Sequence, residues 1–217
     1  MQTLNHSSYL ALREGAKVLE ADGSGDKVLL LRDGRYLKLF RRKRLLTSAL
    51  LRPYARRFAH NTDALLKRGI PCPTVLGVYR IASIARDAVY YSPLEGKTIR
   101  QLKASEEDAD ALRFELGTFI ALLHEKGVYF RSLHFGNVVL TPEHTLGLID
   151  IADLRCQRRA LSNGKRLRNF AHVLRYKEDR HWLLERDGGT AFIEGYSQGL
   201  PSNRRTSLTN ALRLLLA

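Results

Sequence analysis

Three short apolar runs separated by turn signatures open the pattern. Ala16–Ala21 leads into the turn-rich "DGSGD" of Asp22–Asp26; Lys27–Leu31 leads into Asp33-Gly34; Arg35–Phe40 follows. Runs of this length between Gly and Asp turns predict a small antiparallel sheet. Side chains alternate along a strand, so Lys38 shares a face with Tyr36 and Phe40 while Leu37 and Leu39 take the other. The segment 41–68 reads as helical or irregular. Pro53 interrupts it, which predicts a helix from about Tyr54 to Arg68 ending at Gly69. "GIPCPTVLGVYRI" then leads into further strands, with Ala88–Tyr91 as another apolar-aromatic run and "SPLEGKT" as a linker.

The pattern changes period in the second half. Between Glu106 and Lys126, Leu112, Leu116, Phe119, Ile120 and Leu123 recur at spacings of three and four, which predicts one helix with a single apolar stripe, stopped by Gly127. Val138–Leu140 and Leu146–Ile149, joined by "TPEHT", read as a hairpin. From about Arg166 helices and loops alternate, with Phe170, Val173 and Leu174 as core positions. "SLTNALRLLLA" closes the chain as a short amphipathic helix. The whole is an α+β chain, β-rich over 1–92 and helical over 93–217.

At 217 residues, 44% hydrophobic and 27% charged, the chain has the composition of a folded domain with a substantial core. Lys+Arg 36 against Asp+Glu 22 gives a net charge of +14, which favours anionic partners such as nucleic acid, an acidic membrane leaflet or phosphorylated sugars. Cys72 and Cys156 stand far apart, in no metal-ligand spacing, which argues against a disulfide framework or zinc site and for a reducing compartment. With neither a secretory signal nor a long apolar span, the expected location is cytoplasmic.

Three side chains carry the candidate chemistry. Lys38, on a strand facing a cleft, suits phosphate oxygens as a point charge; a surface Lys on an edge strand is the alternative. Asn137 and Asp150, in "HFGNVVL" and "LGLIDIADL", lie 13 residues apart with a hairpin between them. In kinase-like enzymes an Asn on a catalytic loop and an Asp just after the following hairpin hold the metal ions that bridge the nucleotide phosphates. Asp150 follows Leu148 and Ile149, an apolar setting in which an uncompensated charge is costly and a metal is a reasonable partner. The alternatives are a turn cap for Asn137 and a strand end for Asp150.

"LHFGNVVL…LGLIDIADL" resembles the "HGDLHPGN…IDF" signature of kinase-like sugar and small-molecule phosphotransferases, most of all the lipopolysaccharide core sugar (Kdo and heptose) kinases and their toluene-tolerance-type relatives in pseudomonads. "YLKLF", "LLKRGIPCPTVLG", "YYSPLEGKTIRQL" and "LLHEKGVYFRSLHFGN" extend the similarity over most of the chain. The resemblance implies a bilobal protein-kinase-like fold binding ATP and Mg2+. In it Lys38 would hold phosphates, Asn137 and Asp150 the metal, and Tyr90 and Tyr91 the adenine at a hinge. Gly23 and Gly25 would form an abbreviated phosphate-covering loop. The implied acceptor is a sugar hydroxyl of the lipopolysaccharide core glycan, or another anionic acceptor.

Two departures qualify that expectation. Ser132 stands where the catalytic Asp belongs, preceded by Phe130 and Arg131 in place of His and Gly. The helix carboxylate that pairs with the strand Lys is also missing, with Asp63 or Asn61 as the polar candidates. Base assistance is worth about 10²–10⁴-fold, so its loss slows transfer without abolishing it. His134 is a substitute base or a packing residue of the loop; Arg131 is a phosphate neutraliser or an exposed side chain. Two readings follow: a slow phosphotransferase, or a pseudokinase that binds nucleotide or an anionic partner without transfer. Arg41–Arg57 carries seven cations in 17 residues, interleaved with Leu46, Leu50, Leu51 and Tyr54. That segment suits peripheral contact with an anionic inner-membrane surface. A third reading, an RNA-binding domain, has no nucleic-acid motif behind it.

Overall fold

The computed structural model describes residues 1–42, 53–102 and 109–216. They form two compact units: Met1–Leu94 with Asp150–Asp153, and Glu95–Ile149 with Leu154–Ala217.

The first unit is built on a sheet of six strands among the described residues, in the order β1-β5-β6-β4-β3-β2. They are β1 (Gln2–Thr3), β2 (Lys17–Asp22), β3 (Gly25–Leu30), β4 (Tyr36–Arg41), β5 (Thr74–Ile81) and β6 (Arg86–Ser92). β1 runs parallel to β5, and every other neighbouring pair is antiparallel. The alternation read from the sequence decides which side chains face where. Leu29, Leu37, Leu39, Ile81 and Ala88 form a core with Tyr9 of helix α1 (His6–Arg13). Burying a side chain such as Leu29 or Leu37 contributes about 1.5–3 kcal/mol. The hydrophobic pattern had assigned no element to 6–13, yet the start of α1 is marked: Asn5 Oδ1 accepts the Ser8 N–H at 2.8 Å.

The other face of the sheet meets helix α2 (Tyr54–Leu66), which begins after Pro53 as expected. Phe58 packs on Tyr91 at 5.2 Å between ring centroids, and Tyr54 stacks on Phe40 at 6.1 Å. The sequence reading placed all of 93–217 together, but Asp150–Asp153 packs with the first unit. The Asn61 side-chain amide of α2 holds it there, donating to the Ile151 carbonyl at 2.7 Å.

The second unit carries β7 (Lys97–Thr98), α3 (Ile99–Leu102), α4 (Ala109–Glu125), β8 (Val128–Phe130), β9 (Val138–Leu140), β10 (Leu146–Leu148) and β11 (Leu154–Cys156), then α5 (Asn163–Val173), α6 (Lys177–Leu184), α7 (Thr190–Gln198) and α8 (Ser202–Leu216). The expected hairpin is β9–β10, and β7, inside the presumed linker, pairs with β9. β8 and β11 form a separate antiparallel pair. In α4 the buried stripe includes Leu116, Phe119, Ile120 and Leu123, while Leu112, expected in the core, is half-buried. Leu174 is also half-buried, beside buried Phe170 and Val173. Residues 103–108, the expected start of α4, lie outside the described residues. Two glycines let α4 and α7 cross backbone to backbone: a Cβ on Gly117 would collide with the Phe192 carbonyl, and one on Gly195 with that of Phe114.

Candidate functional site

Strand β4 and the 150–153 segment build the centre of the candidate site within the first unit. The Lys38 ammonium donates to Asp150 Oδ1 at 2.7 Å. The Lys38 side chain is 16% exposed and that of Asp150 47% exposed. This corrects the expectation that the apolar run before Asp150 buries its carboxylate: Leu148 is buried, but the chain turns at Asp150 (φ +53°) and the carboxylate faces water. A left-handed backbone is tolerated by Asp better than by most residues. The partner of Lys38 is thus the expected metal ligand. Asp63, the helix acid considered for that role, is exposed, and Asn61 is engaged with the Ile151 carbonyl.

Register decides what surrounds Lys38. It pairs with Val28 on β3 and Val89 on β6, and Tyr36 pairs with Tyr91. Cross-strand partners share a face, so Val28, Val89 and Tyr91 lie on the Lys38 side with Tyr36 and Phe40. Burial raises the Tyr91 hydroxyl pKa above its ordinary value, and the negative charge of Asp150 adds to the effect. Tyr91 is therefore a neutral phenol stacked on Tyr36 at 5.6 Å. Tyr90, expected beside it at the hinge, belongs to the opposite face. Its hydroxyl donates to Asp33 at 2.8 Å and accepts from Arg35 at 2.7 Å.

Gly23 and Gly25 fall in the tight turn between β2 and β3, where Asp22 pairs with Gly25. The Ser24 N–H of this turn donates to Asp22 Oδ1 at 2.8 Å, and the Ser24 carbonyl accepts from Arg86. That amide is therefore engaged within the turn, with the Asp22 carboxylate beside it.

In the second unit, β8 runs directly into the loop that holds Ser132, His134 and Asn137. The Ser132 carbonyl accepts from the Asn137 side-chain amide at 2.9 Å and from the His134 N–H at 3.0 Å. A carbonyl only accepts, so the amide nitrogen of Asn137 must face it, leaving Oδ1 as the end able to coordinate a cation. The Asn137 carbonyl accepts the Ile149 N–H at 3.0 Å, and Asp150 is the next residue in the chain. His134 packs edge-on against Tyr176 at 5.1 Å, the packing role weighed against its role as a base.

A support that the sequence reading missed lies beneath this loop. Asp179 of α6 is wholly buried and accepts from the Arg100 guanidinium at 2.6 and 3.3 Å. Its Oδ2 also accepts the Phe135 N–H at 3.4 Å. Arg100 lies over the Tyr176 ring at 4.7 Å, so one cation links the carboxylate to the ring against which His134 packs. On the other side, the Asn169 amide donates to the Phe130 carbonyl at 2.7 Å and its oxygen meets buried His124 at 3.3 Å. The signal for Asp179 was weak, one of two adjacent acids, Glu178 and Asp179, in the first turn of α6. Nothing local tells a buried Asp from an exposed one.

The oxygen chemistry present suits Mg2+, a hard cation that keeps several waters and takes only one or two protein carboxylates beside substrate phosphates. The Asp150 carboxylate, 47% exposed at its side chain, is an oxygen donor of that kind in the first unit, and the Asn137 amide oxygen is one in the second. Among the described residues no cluster of three or more His, Cys, Asp or Glu offers an all-protein cage. Of the basic 41–57 segment, residues 43–52 lie outside the described residues; Arg41, Arg42 and Arg56 are exposed, and Arg57 covers the Tyr54 ring at 4.9 Å. Among the described residues no helix is long and apolar enough to cross a membrane.

No protein-family model and no curated protein matches the sequence. Two of the solved structures that align with the chain do so at 17% identity. The bifunctional kinase-methyltransferase WbdD aligns over 87% of this chain and 46% of its own, with 17% identity and a TM-score of 0.49. A divergent Toxoplasma kinase lacking the glycine-rich loop, which regulates membrane ultrastructure of the parasitophorous vacuole, aligns over 85% of this chain and 61% of its own, with 17% identity and a TM-score of 0.41. The chain thus spans about half the length of the first and three-fifths of the second.

Proposed function

We propose that the chain is a kinase-type protein that binds ATP with Mg2+ and transfers phosphate slowly to a sugar hydroxyl of an anionic glycan. The Lys38–Asp150 pair carries this reading, because it joins a largely buried cation to an exposed carboxylate 112 residues away. Lys38 would move from Asp150 to the nucleotide phosphates, and Asp150 and the Asn137 amide oxygen would hold Mg2+. Bound there, the metal would neutralise phosphate charge, the main source of rate in phosphoryl transfer. Tyr91 and Val89 supply apolar surface on the Lys38 face. The loop anchored by Asp179 would position the acceptor. The lipopolysaccharide core and a cytoplasmic, inner-membrane setting remain part of this proposal through the motif resemblance.

Calorimetric titration with ATP tests it. Wild type should bind more tightly with Mg2+ than without, and Asp150→Ala should lose that difference. Equal metal dependence in both proteins overturns the site assignment.

One observation favours a second reading, nucleotide binding without transfer. Ser132 replaces the usual carboxylate, and His134, the nearest alternative base, is packed on Tyr176. Single-turnover assays with radiolabelled ATP separate the readings. Bound nucleotide with no phosphate transferred to glycan supports the binding module.

A further inference from the structure

From Leu154 to Lys177 the chain holds eight Lys and Arg and no Asp or Glu. Arg166 alone among them is buried, paired with Glu125 at 2.6 Å. The others are exposed, and the fold gathers four of them along one surface. Arg155 on β11 pairs with Tyr129 on β8, on the face opposite buried Phe130 and Leu154. Tyr129 in turn meets His172 of α5, with ring centroids 6.2 Å apart and its hydroxyl 3.4 Å from Nε2. Lys165, Arg168 and His172 lie within an arc of about 60° on α5 at 100° per residue. Arg175 follows two residues past the helix end.

This surface is continuous in the chain with the candidate loop, since Tyr129 lies three residues before Ser132. Between 154 and 175 no large apolar side chain is exposed. An inserting membrane face needs apolar side chains, and a single-strand nucleic-acid groove needs a series of stacking aromatics; here Tyr129 is half-buried, and Tyr176, exposed next to Arg175, has Arg100 over its ring. Guanidinium forks match carboxylate and phosphate oxygens, and an aromatic ring matches the apolar face of a sugar.

We propose that Arg155, Tyr129, Lys165, Arg168 and Arg175 form a docking stripe for an oligosaccharide bearing several carboxylates or phosphates, which feeds the Ser132–Asn137 loop. The occupant's role as phosphate acceptor rests on the proposed function; its binding does not. The stripe holds a run of negative charges while a hydroxyl at one end reaches the loop.

Binding of the full chain, without nucleotide, to fluorescent oligogalacturonate and a phosphorylated mannan oligosaccharide tests the stripe. A neutral dextran oligosaccharide of equal length, phosphatidylglycerol vesicles and a single-stranded RNA oligonucleotide are run at the same salt. Both acidic glycans should bind, dextran should not, and Arg155→Ser with Arg168→Ser should weaken acidic-glycan binding at least tenfold. ATP affinity should stay unchanged, so failure here is distinct from failure of the nucleotide site. If the double variant does not fold, as read from its melting curve, Arg168→Ser alone should weaken binding at least threefold. Acidic-glycan binding indifferent to these substitutions overturns the proposal. So does tighter binding of RNA or vesicles through the same residues.

Discussion

Lys38 and Asp150 meet at 2.7 Å although 112 residues separate them. Lys38 is mostly covered and Asp150 half exposed, so neutralising either leaves a different residue behind. Lys38→Met should weaken ATP binding about tenfold or more with or without Mg2+, since in the proposed function the cation would meet phosphate directly. Asp150→Asn should act only when Mg2+ is present. Parallel titrations in magnesium and in chelator check this; equal losses in both conditions would contradict the division of roles.

Restoring the missing base gives a sharper test of chemistry. Ser132 begins the loop that Asn137 closes through the Ser132 carbonyl, a bond independent of the side chain at 132. Ser132→Asp should therefore leave the loop intact and raise turnover about tenfold or more if slow transfer exists. Steady-state phosphate transfer to an acidic glycan is the measurement.

Asp179 is the structural counterpart. Asp179→Asn removes a buried charge from beneath the loop and leaves the Arg100 guanidinium without its partner. Breaking such a pair costs about 3–5 kcal/mol, and the part-exposed Arg100 can rehydrate, which points to about 3 kcal/mol. Urea unfolding should register that loss. Hydrogen exchange at the Phe135 amide should accelerate with it.

The buried histidine makes stability pH-dependent. His124 bonds Tyr196 at 2.9 Å, and burial, reinforced by nearby Arg166, pushes its pKa down to about 3 against the opposing Asn169 bond. Unfolded His titrates near 6.5, so the unfolded chain takes up the proton first as pH falls. His124 thus costs nothing above about pH 6.5, and its penalty grows toward pH 3 at up to about 1.4 kcal/mol per unit. His124→Gln should flatten that part of the profile, as read from urea midpoints between about pH 7 and 5. An unchanged slope would show that other groups carry it.

Much of the local architecture was legible because periodicity is local. The alternation around Lys38 predicted its face correctly, with Leu37 and Leu39 turned to the opposite core. The helix after Pro53, the β9–β10 hairpin and the stop at Gly127 followed from residue type and spacing alone. Helix α1 was marked by Asn5, a polar cap that apolar counting overlooks. The same reading placed Tyr90 and Tyr91 together, although alternation sends neighbouring residues of one strand to opposite faces.

By itself, the sequence determined an α+β chain, a Lys on a strand, and an Asn and an Asp on either side of a hairpin. Tertiary structure alone decided that Asp150 is exposed, that it and not a helix acid meets Lys38, and that Asp179 is buried beneath the Ser132 loop. Strand and helix preferences act over a few residues, so they can be read along the chain. Burial and ion pairing depend on which distant segments share space, and 150–153 finds its neighbours in Lys38 of β4 and Asn61 of α2, far away in the chain.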